Sequence, residues 1–354
     1  MSKIKTVILL SFMAFILYSP TRTCHYALEG LTQWATRMIP TLFPFMILSS
    51  LMICSGADEQ LGKLLSKLWK IILPIRAYGS YAIFIGFLCG FPMGAKVVSE
   101  LYSARKLSRK EAQHLVGFCN NIGPAYFLGL VFPLLCSLGY TNVLPFVFGM
   151  YGIPILYGIV LCNLSKHDDD NTARASLAII KPEHSSAAGL FNAICMNNIE
   201  SILLLGGYVT LINAMRSIFD CFPLSSNIKA VLSSFLEIIG GIPAVYHTSM
   251  PDTYKVFWIM VALSFNGISC LLQTISFLEK ANLSVVNYIL HKLIIFTITF
   301  LLYIMAYRPC LIGNHIRICR LVILIPYLKH NCSRRRRYVI DCYSHSIICT
   351  VPRA

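Results

Sequence analysis

The chain has 354 residues, of which 56% are apolar and only 13% are charged, and its mean hydropathy is +0.67. Soluble domains carry about a quarter charged residues, so this composition excludes a water-soluble globule, and it excludes a disordered chain as well. The apolar stretches are long and continuous instead of short and alternating as in a β-barrel, which predicts an all-α polytopic membrane protein.

The formal charge of +15 is unevenly distributed along the chain. From Arg308 onward, nine Lys and Arg residues face a single acid, Asp341, so this tail carries +8 of the total. No soluble domain is predicted that would present a basic face to nucleic acid. Basic residues in loops beside apolar spans indicate membrane orientation, so nucleic acid is not an expected partner.

The first apolar segment, Val7 to Tyr18, follows Lys3 and Lys5 and resembles a signal peptide. No A-x-A cleavage site follows it, so we expect a retained anchor over residues 1–27. Further apolar spans lie at 31–55, 81–98, 114–138, 143–162, 188–215, 231–245, 256–277 and 285–307, with a polar linker at 164–187. The basic, Cys-rich tail at 308–354 resembles an out-of-frame translation, and no function is assigned to it.

The span at 81–98 is interrupted in a way that predicts a hairpin. Gly86, Gly90 and Gly94 recur every four residues, and Pro92 removes a backbone donor. The linkers on both sides are basic, which places both on the cytoplasmic side. A segment that begins and ends on one side is re-entrant, with its tip near Phe91–Gly94. The alternative, a glycine strip for close helix packing, explains neither Pro92 nor the basic linkers.

The next span predicts a broken helix. Ser108 and Glu111 form a capping box at its start. Asn120-Asn121-Ile-Gly123-Pro124 follows in the middle of the apolar run, and irregular backbone at membrane depth is tolerated only inside protein or beside a cavity. Each Asn alone is equally compatible with a role in binding one helix to another, whereas the whole cluster favours a site.

The second half of the chain repeats this order. An amide-bearing span with Asn192, Asn197, Asn198 and Glu200 precedes a glycine-proline segment at 236–243, and a polar break at 265–273 follows. The linkers around this second segment are only weakly basic, as expected outside the cytoplasm. We therefore predict two inverted repeats, 28–163 and 188–307, each with a re-entrant hairpin and a broken helix, a pattern typical of transporters. This topology places the Arg-rich tail outside.

These segments resemble the YlbJ family of sporulation integral membrane proteins over about residues 28–307. The resemblance implies two nucleoside recognition, or Gate, domains, a module shared with concentrative nucleoside transporters, spore maturation proteins and the ferrous iron transporter. It also implies an endospore-forming bacterium. The expected location is the bacterial cell membrane, at the mother-cell or outer forespore membrane, and the expected role is to move dipicolinate toward the forespore.

Dipicolinate is a planar dianion, so its carrier needs cations or helix N-termini aimed at the carboxylates. Lys96 is the expected cation because a charge inside an apolar hairpin is costly; the alternative is that it extends to the membrane interface. The predicted substrate site comprises Gly90, Pro92, Gly94, Lys96, Asn120, Asn121, Gly123, Pro124, Gly240, Gly241 and Gln273.

Two acids, Glu200 and Glu237, do not suit direct contact with an anion. They indicate proton coupling or a salt bridge to Lys96, and Glu237 also fits an interfacial position at the start of the second hairpin. The expected partners are a small anionic substrate, the lipid bilayer, and a second copy of the chain or other sporulation membrane proteins.

The sequence is also compatible with functions other than transport. A membrane enzyme acting on lipid phosphate requires a Mg²⁺ site, for which Asp168, Asp169 and Asp170 offer carboxylates. That run lies in a polar linker without a second acidic cluster, and a solvated linker explains it better. No enzyme activity, metal or cofactor is therefore expected. A scaffold for spore envelope assembly and a nucleoside-like permease stay open.

Overall fold

The computed structural model describes residues 3–69, 73, 75–164 and 186–311, and these residues form helices without any strand. The predicted linker, including Asp168 to Asp170, lies almost wholly outside the described residues, and so does nearly all of the predicted tail.

The first half of the chain contributes eleven described helices. They are α1 (Lys3–Tyr18), α2 (Pro20–Gln33), α3 (Ile39–Ser55), α4 (Ala57–Trp69), α5 (Ala77–Cys89), α6 (Met93–Ser103), α7 (Arg109–Cys119), α8 (Pro124–Tyr126), α9 (Phe132–Ser137), α10 (Leu144–Val147) and α11 (Ile153–Leu164). Single π-helical turns join three pairs of them, at Trp34–Met38, Phe127–Val131 and Phe148–Gly152.

The second half contributes six more helices. They are α12 (Ala187–Arg216), α13 (Ser226–Leu236), α14 (Ile238–Tyr246), α15 (Asp252–Phe265), α16 (Gly267–Lys280) and α17 (Val285–Leu311), with a 3₁₀ turn at Ser217–Cys221. Helix α2 crosses the expected boundary between residues 27 and 28, and the division into two repeats stays a prediction.

Within the described residues, six helical segments are long and apolar enough to cross a membrane. They are Pro20–Ser55, Arg109–Ser137, Leu144–Leu164, Ala187–Cys221, Asp252–Lys280 and Val285–Met305. Each coincides with a span predicted from hydropathy. An all-α polytopic membrane protein is therefore confirmed.

Two of the other predicted spans, 81–98 and 231–245, form helical hairpins. The arms α5 and α6 have 13 and 11 residues, or about 20 and 17 Å at 1.5 Å per residue. The arms α13 and α14 have 11 and 9 residues. A bilayer core is about 30 Å thick, so no single arm crosses it, and each pair folds back on itself.

The tip of the first hairpin, Gly90–Pro92, packs against the break between α7 and α8. The Phe91 amide donates to the Asn121 carbonyl oxygen at 2.6 Å. Gly90 has φ +80°, and a Cβ there would overlap the Gly123 amide and lie 2.5 Å from its Cα. Glycine is thus required at Gly90 both by its backbone conformation and by the approach of the two chains.

The tip of the second hairpin packs against the break between α15 and α16 in the same manner. Glu237 is extended at φ −145° and ends α13, while Asn266 and Gly267 both have φ +72° and interrupt the second long helix. A Cβ on Gly267 would lie 3.3 Å from the Leu236 carbonyl oxygen and 3.2 Å from Ile238. In each half, therefore, a hairpin tip covers the irregular backbone of a broken helix.

The predicted capping box at the start of α7 is confirmed. Ser108 Oγ accepts from the Glu111 amide at 3.2 Å, and the Ser108 amide donates to Glu111 Oε2 at 2.9 Å. These bonds satisfy two amides that a helix start otherwise leaves unpaired.

Substituting Gly90 with Ala tests the packing of the first tip. We expect G90A to lower the free energy of unfolding by at least about 3 kcal/mol, because the new methyl group overlaps backbone and also strains a positive φ. Gly129 has open space around its Cα, so G129A is the matched control and should melt like the native protein in detergent. Equal melting temperatures for the two variants would contradict this packing.

Candidate functional site

A small internal cavity lies between the two broken helices. Its polar lining comes from Asn121 in the first break, Ser264 and Asn266 at the second, and Lys292 and Thr299 on α17. About 10 Å³ of the cavity admits the centre of a water molecule, which is room for about one water. Irregular backbone at membrane depth is therefore placed beside a polar cavity, as the sequence suggested.

Lys292 is the cation of this cavity, and the sequence interpretation missed it. Its side chain is only 4% exposed. When the Asn266 amide is oriented to satisfy both of its polar atoms, its oxygen accepts from Lys292 Nζ and its nitrogen donates to the Leu263 carbonyl oxygen at 2.6 Å. No carboxylate of the described residues forms an ion pair with Lys292.

The position of Lys292 follows from α17. Lys292, Ile295 and Thr299 are spaced i, i+3 and i+7, so they share one face of the helix, and all three line the cavity. A buried charge without a partner is costly in a membrane and by default indicates function. The signal in the sequence was a lone Lys inside the apolar run at 285–307.

The paired asparagines of the first break have different roles. Asn120 Nδ2 donates to Thr274 Oγ1 at 2.9 Å and to the Tyr288 hydroxyl at 3.2 Å, and its Oδ1 accepts from the Ala95 amide at 3.3 Å. Asn120 therefore joins the break to α6, α16 and α17. Asn121 lines the cavity and donates to the Phe118 carbonyl oxygen.

Lys96 lies on α6, and it is not among the residues that line the cavity. It is 2% exposed, donates to Ser50 Oγ at 2.9 Å and forms an ion pair with Glu100 one turn further along α6. Asn198 Nδ2 also lies 3.4 Å from Ser50 Oγ. The charge of Lys96 is thus neutralised within the protein. Its role in substrate binding stays a prediction.

The two predicted acids, Glu200 and Glu237, do not pair with Lys96. The ion-pair partner of Lys96 is Glu100. Glu200 is exposed and pairs with Lys280 at 2.8 Å. Glu237 is buried and caps α14, where its Oε2 accepts from the Gly240 amide at 2.9 Å.

Most of the other predicted site residues lie at close contacts between chain segments. Gly94 approaches Asn120, Gly123 approaches the Cys89 carbonyl oxygen, and Gly241 approaches the backbone of Ser234. Pro124 begins α8, and Pro92 ends the first tip. Gln273 donates to Ser269 Oγ at 3.0 Å, and its own oxygen is buried without a partner. Asn121 alone of the predicted set lines the cavity.

Paired hairpins, two broken helices and an enclosed polar cavity define a polytopic α-helical membrane protein with an internal site. The chain is similar to the sporulation integral membrane protein YlbJ of Bacillus subtilis (strain 168), with 22% identity over 322 residues that cover 80% of this chain and 78% of the relative. This extent of similarity supports membership of the YlbJ family, as the resemblance predicted. No family model matches the chain, and no solved structure matches it.

The Lys96–Glu100 pair can be tested with a single and a double variant. We expect K96M to lower the free energy of unfolding by about 3 kcal/mol, because it leaves the Glu100 carboxylate without its counter-charge. K96M/E100Q removes both charges. In a detergent melting assay it should recover most of the stability that K96M loses. A double variant no more stable than K96M would contradict the pairing.

The same double variant tests the predicted substrate role of Lys96. A stable K96M/E100Q protein that no longer takes up the anion would support that role. Uptake at the native rate would show that the charge of Lys96 serves only the hairpin.

Proposed function

We propose that this protein is a membrane transporter that serves sporulation and moves dipicolinate, or a similar small anion, across the forespore membrane. The observation that carries the proposal is Lys292, a buried cation without a carboxylate partner among the described residues, at a cavity between two broken helices. The name of the relative, a sporulation integral membrane protein, supports the cellular role.

The groups around the cavity suit a carboxylate ligand. Lys292 offers a charged donor, which forms the stronger kind of hydrogen bond to an anion. Asn121 and Asn266 offer amide N–H groups, whereas the Ser264 and Thr299 hydroxyls already donate to the Val261 and Ile295 carbonyl oxygens at 2.8 Å. A charged ammonium with neighbouring amide N–H groups suits an anion, and we propose binding and release without a catalytic step.

The size of the cavity bears on the transport cycle. Room for about one water is far less than a planar dicarboxylate requires. Entry of the substrate therefore requires the hairpin tips and broken helices to separate, and we propose that the present conformation is closed on both sides. Movement of one repeat against the other around a fixed site is how transporters of inverted-repeat architecture alternate their access.

Substituting Lys292 tests the proposal in proteoliposomes. We expect saturable uptake of radiolabelled dipicolinate by the native protein and a loss of at least about tenfold in K292M, since a hydrogen bond to a charged group contributes about 1.5–3 kcal/mol. K67M, on the exposed surface of α4, is the matched control and should retain uptake.

Competition by unlabelled succinate and uridine defines the substrate class. Competition by succinate alone indicates a general dicarboxylate site, and transport of uridine instead would favour the nucleoside-like permease. Correctly inserted native protein without saturable uptake would contradict transport and favour the scaffold.

A further inference from the structure

A second buried polar cluster lies at the start of α14, apart from the cavity. Helix α12 contributes Arg216, α2 contributes Glu29 and Gln33, and the second hairpin contributes Glu237 and Gly240. Arg216 is 4% exposed and Glu237 is 1% exposed, whereas the Glu29 side chain is 31% exposed. The anion-transport proposal assigns no role to this cluster.

The hydrogen bonds within the cluster fix most of its members. Arg216 forms an ion pair with Glu29 at 3.1 Å and donates to Asn213 Oδ1 at 2.7 Å. Gln33 Nε2 donates to Glu29 Oε1 at 3.1 Å. The lack of a side chain at Gly240 is required here, because a Cβ would lie 2.5 Å from Glu29 Oε1 and overlap the Arg216 guanidinium group.

The charges of the cluster do not balance when both acids are ionised. The cluster then holds two carboxylates, Glu29 and Glu237, and one guanidinium group, Arg216. Gly240, whose amide donates to Glu237, lies against both Glu29 and Arg216. An uncompensated charge in a buried site is strongly unfavourable. One proton on Glu237 removes the surplus negative charge without disturbing the Arg216–Glu29 pair.

Unpaired acceptors outnumber unpaired donors in the cluster. Glu237 Oε2 accepts from the Gly240 amide, while the acceptors Glu237 Oε1 and Gln33 Oε1 and the donor Arg216 Nε are buried without partners. Protonation turns Glu237 Oε1 into a donor in a cluster that has an unused acceptor.

Other titratable groups also face Glu237. Tyr126 of α8 donates to the Ile238 carbonyl oxygen at 3.0 Å, and Cys270 is a buried thiol of α16. The charged residues of α13 and α15 are engaged elsewhere, Lys229 with Asp220 at 3.9 Å and Lys255 with Asp252 at 3.3 Å. Lys292 contacts Asn266 of the second break, and the two neighbours of Glu237, Leu236 and Ile238, lie against Gly267 of the same break.

We propose that Glu237 is the proton-binding site of this protein and that its proton moves together with the anion. This inference rests on the proposed function for the transport step alone. The O–H bond forms at Glu237 Oε1 with a proton taken from water on one side of the membrane, and it breaks when the proton returns to water on the other side. Carrying a proton lowers the net charge that crosses with a dianion.

Infrared spectroscopy tests the proton directly and needs no transport. At neutral pH we expect the native protein in nanodiscs to show the C=O stretch of a buried carboxylic acid, and E237Q to lack it. E279Q, at an exposed acid of α16, is the matched control and should retain the band.

A second variant, E29Q, tests the same proton if E237Q fails to fold. E29Q leaves Arg216 with Glu237 as its only acidic partner in the cluster, so Glu237 should ionise and the band should weaken. A band unchanged in both E237Q and E29Q, or absent from the native protein, would overturn the proposal.

Transport measurements test the coupling. We expect a pH gradient to drive dipicolinate accumulation by the native protein and E279Q. E237Q should accumulate at least about tenfold less dipicolinate than the native protein. It should still exchange labelled for unlabelled substrate, because the amide is permanently neutral.

Two results would overturn the coupling: accumulation by E237Q at the native level, or accumulation driven by a sodium gradient in place of the pH gradient. A native protein with neither uptake nor exchange would contradict the transport function while the infrared result still decides the proton site.

Discussion

The whole arrangement depends on one constraint, namely that backbone amides and carbonyls inside a bilayer must find partners within the protein. Each broken helix exposes such groups, and in each half a hairpin tip covers them. The Phe91 amide bonds the Asn121 carbonyl oxygen, and the second tip packs against Asn266–Gly267. The Tyr126 hydroxyl, just after the first break, donates to the Ile238 carbonyl oxygen of the second tip. Because the tips and breaks support each other, the two irregular segments face one another and enclose polar groups between them.

The buried cations show how the same constraint distinguishes structural charges from functional ones. Lys96 pairs with Glu100 and Arg216 with Glu29, and the partly exposed Lys106 pairs with the buried Asp58 at 2.7 Å. A buried pair of this kind holds segments in register, and breaking it by removing one partner costs several kcal/mol. Lys292 has only the neutral Asn266 amide. The positive charge of Lys292 is therefore not neutralised by a carboxylate, and a bound anion would neutralise it.

The sequence predicts the features that depend on local chemistry. Glycine and proline at 90–94 predict the first tip, Asn120–Pro124 predicts the first break, and Ser108 with Glu111 predicts the start of α7. The Lys96–Glu100 pair has an i, i+4 spacing, but the sequence interpretation did not use it and assigned Lys96 to the substrate or to Glu200 or Glu237. The cavity and the second cluster were not predictable in this way, since they join residues that are distant in the chain: Lys292 meets Asn121 and Asn266, and Arg216 meets Glu29. Such contacts depend on tertiary packing. The hydropathy pattern is the same whether a buried Lys contacts a carboxylate or an amide, so it does not predict the contact.

The second break is the element through which the two sites can influence each other. Lys292 contacts Asn266 of this break, and Leu236 and Ile238, the two neighbours of Glu237, lie against Gly267. Asn266 and Gly267 interrupt the helix with a single left-handed turn, so a displacement of the second tip alters the surroundings of both residues together. A ligand can shift such an equilibrium only by its differential affinity for the two states. Binding linkage is also reciprocal, so an anion that favours protonated Glu237 must itself be bound more tightly when Glu237 carries its proton.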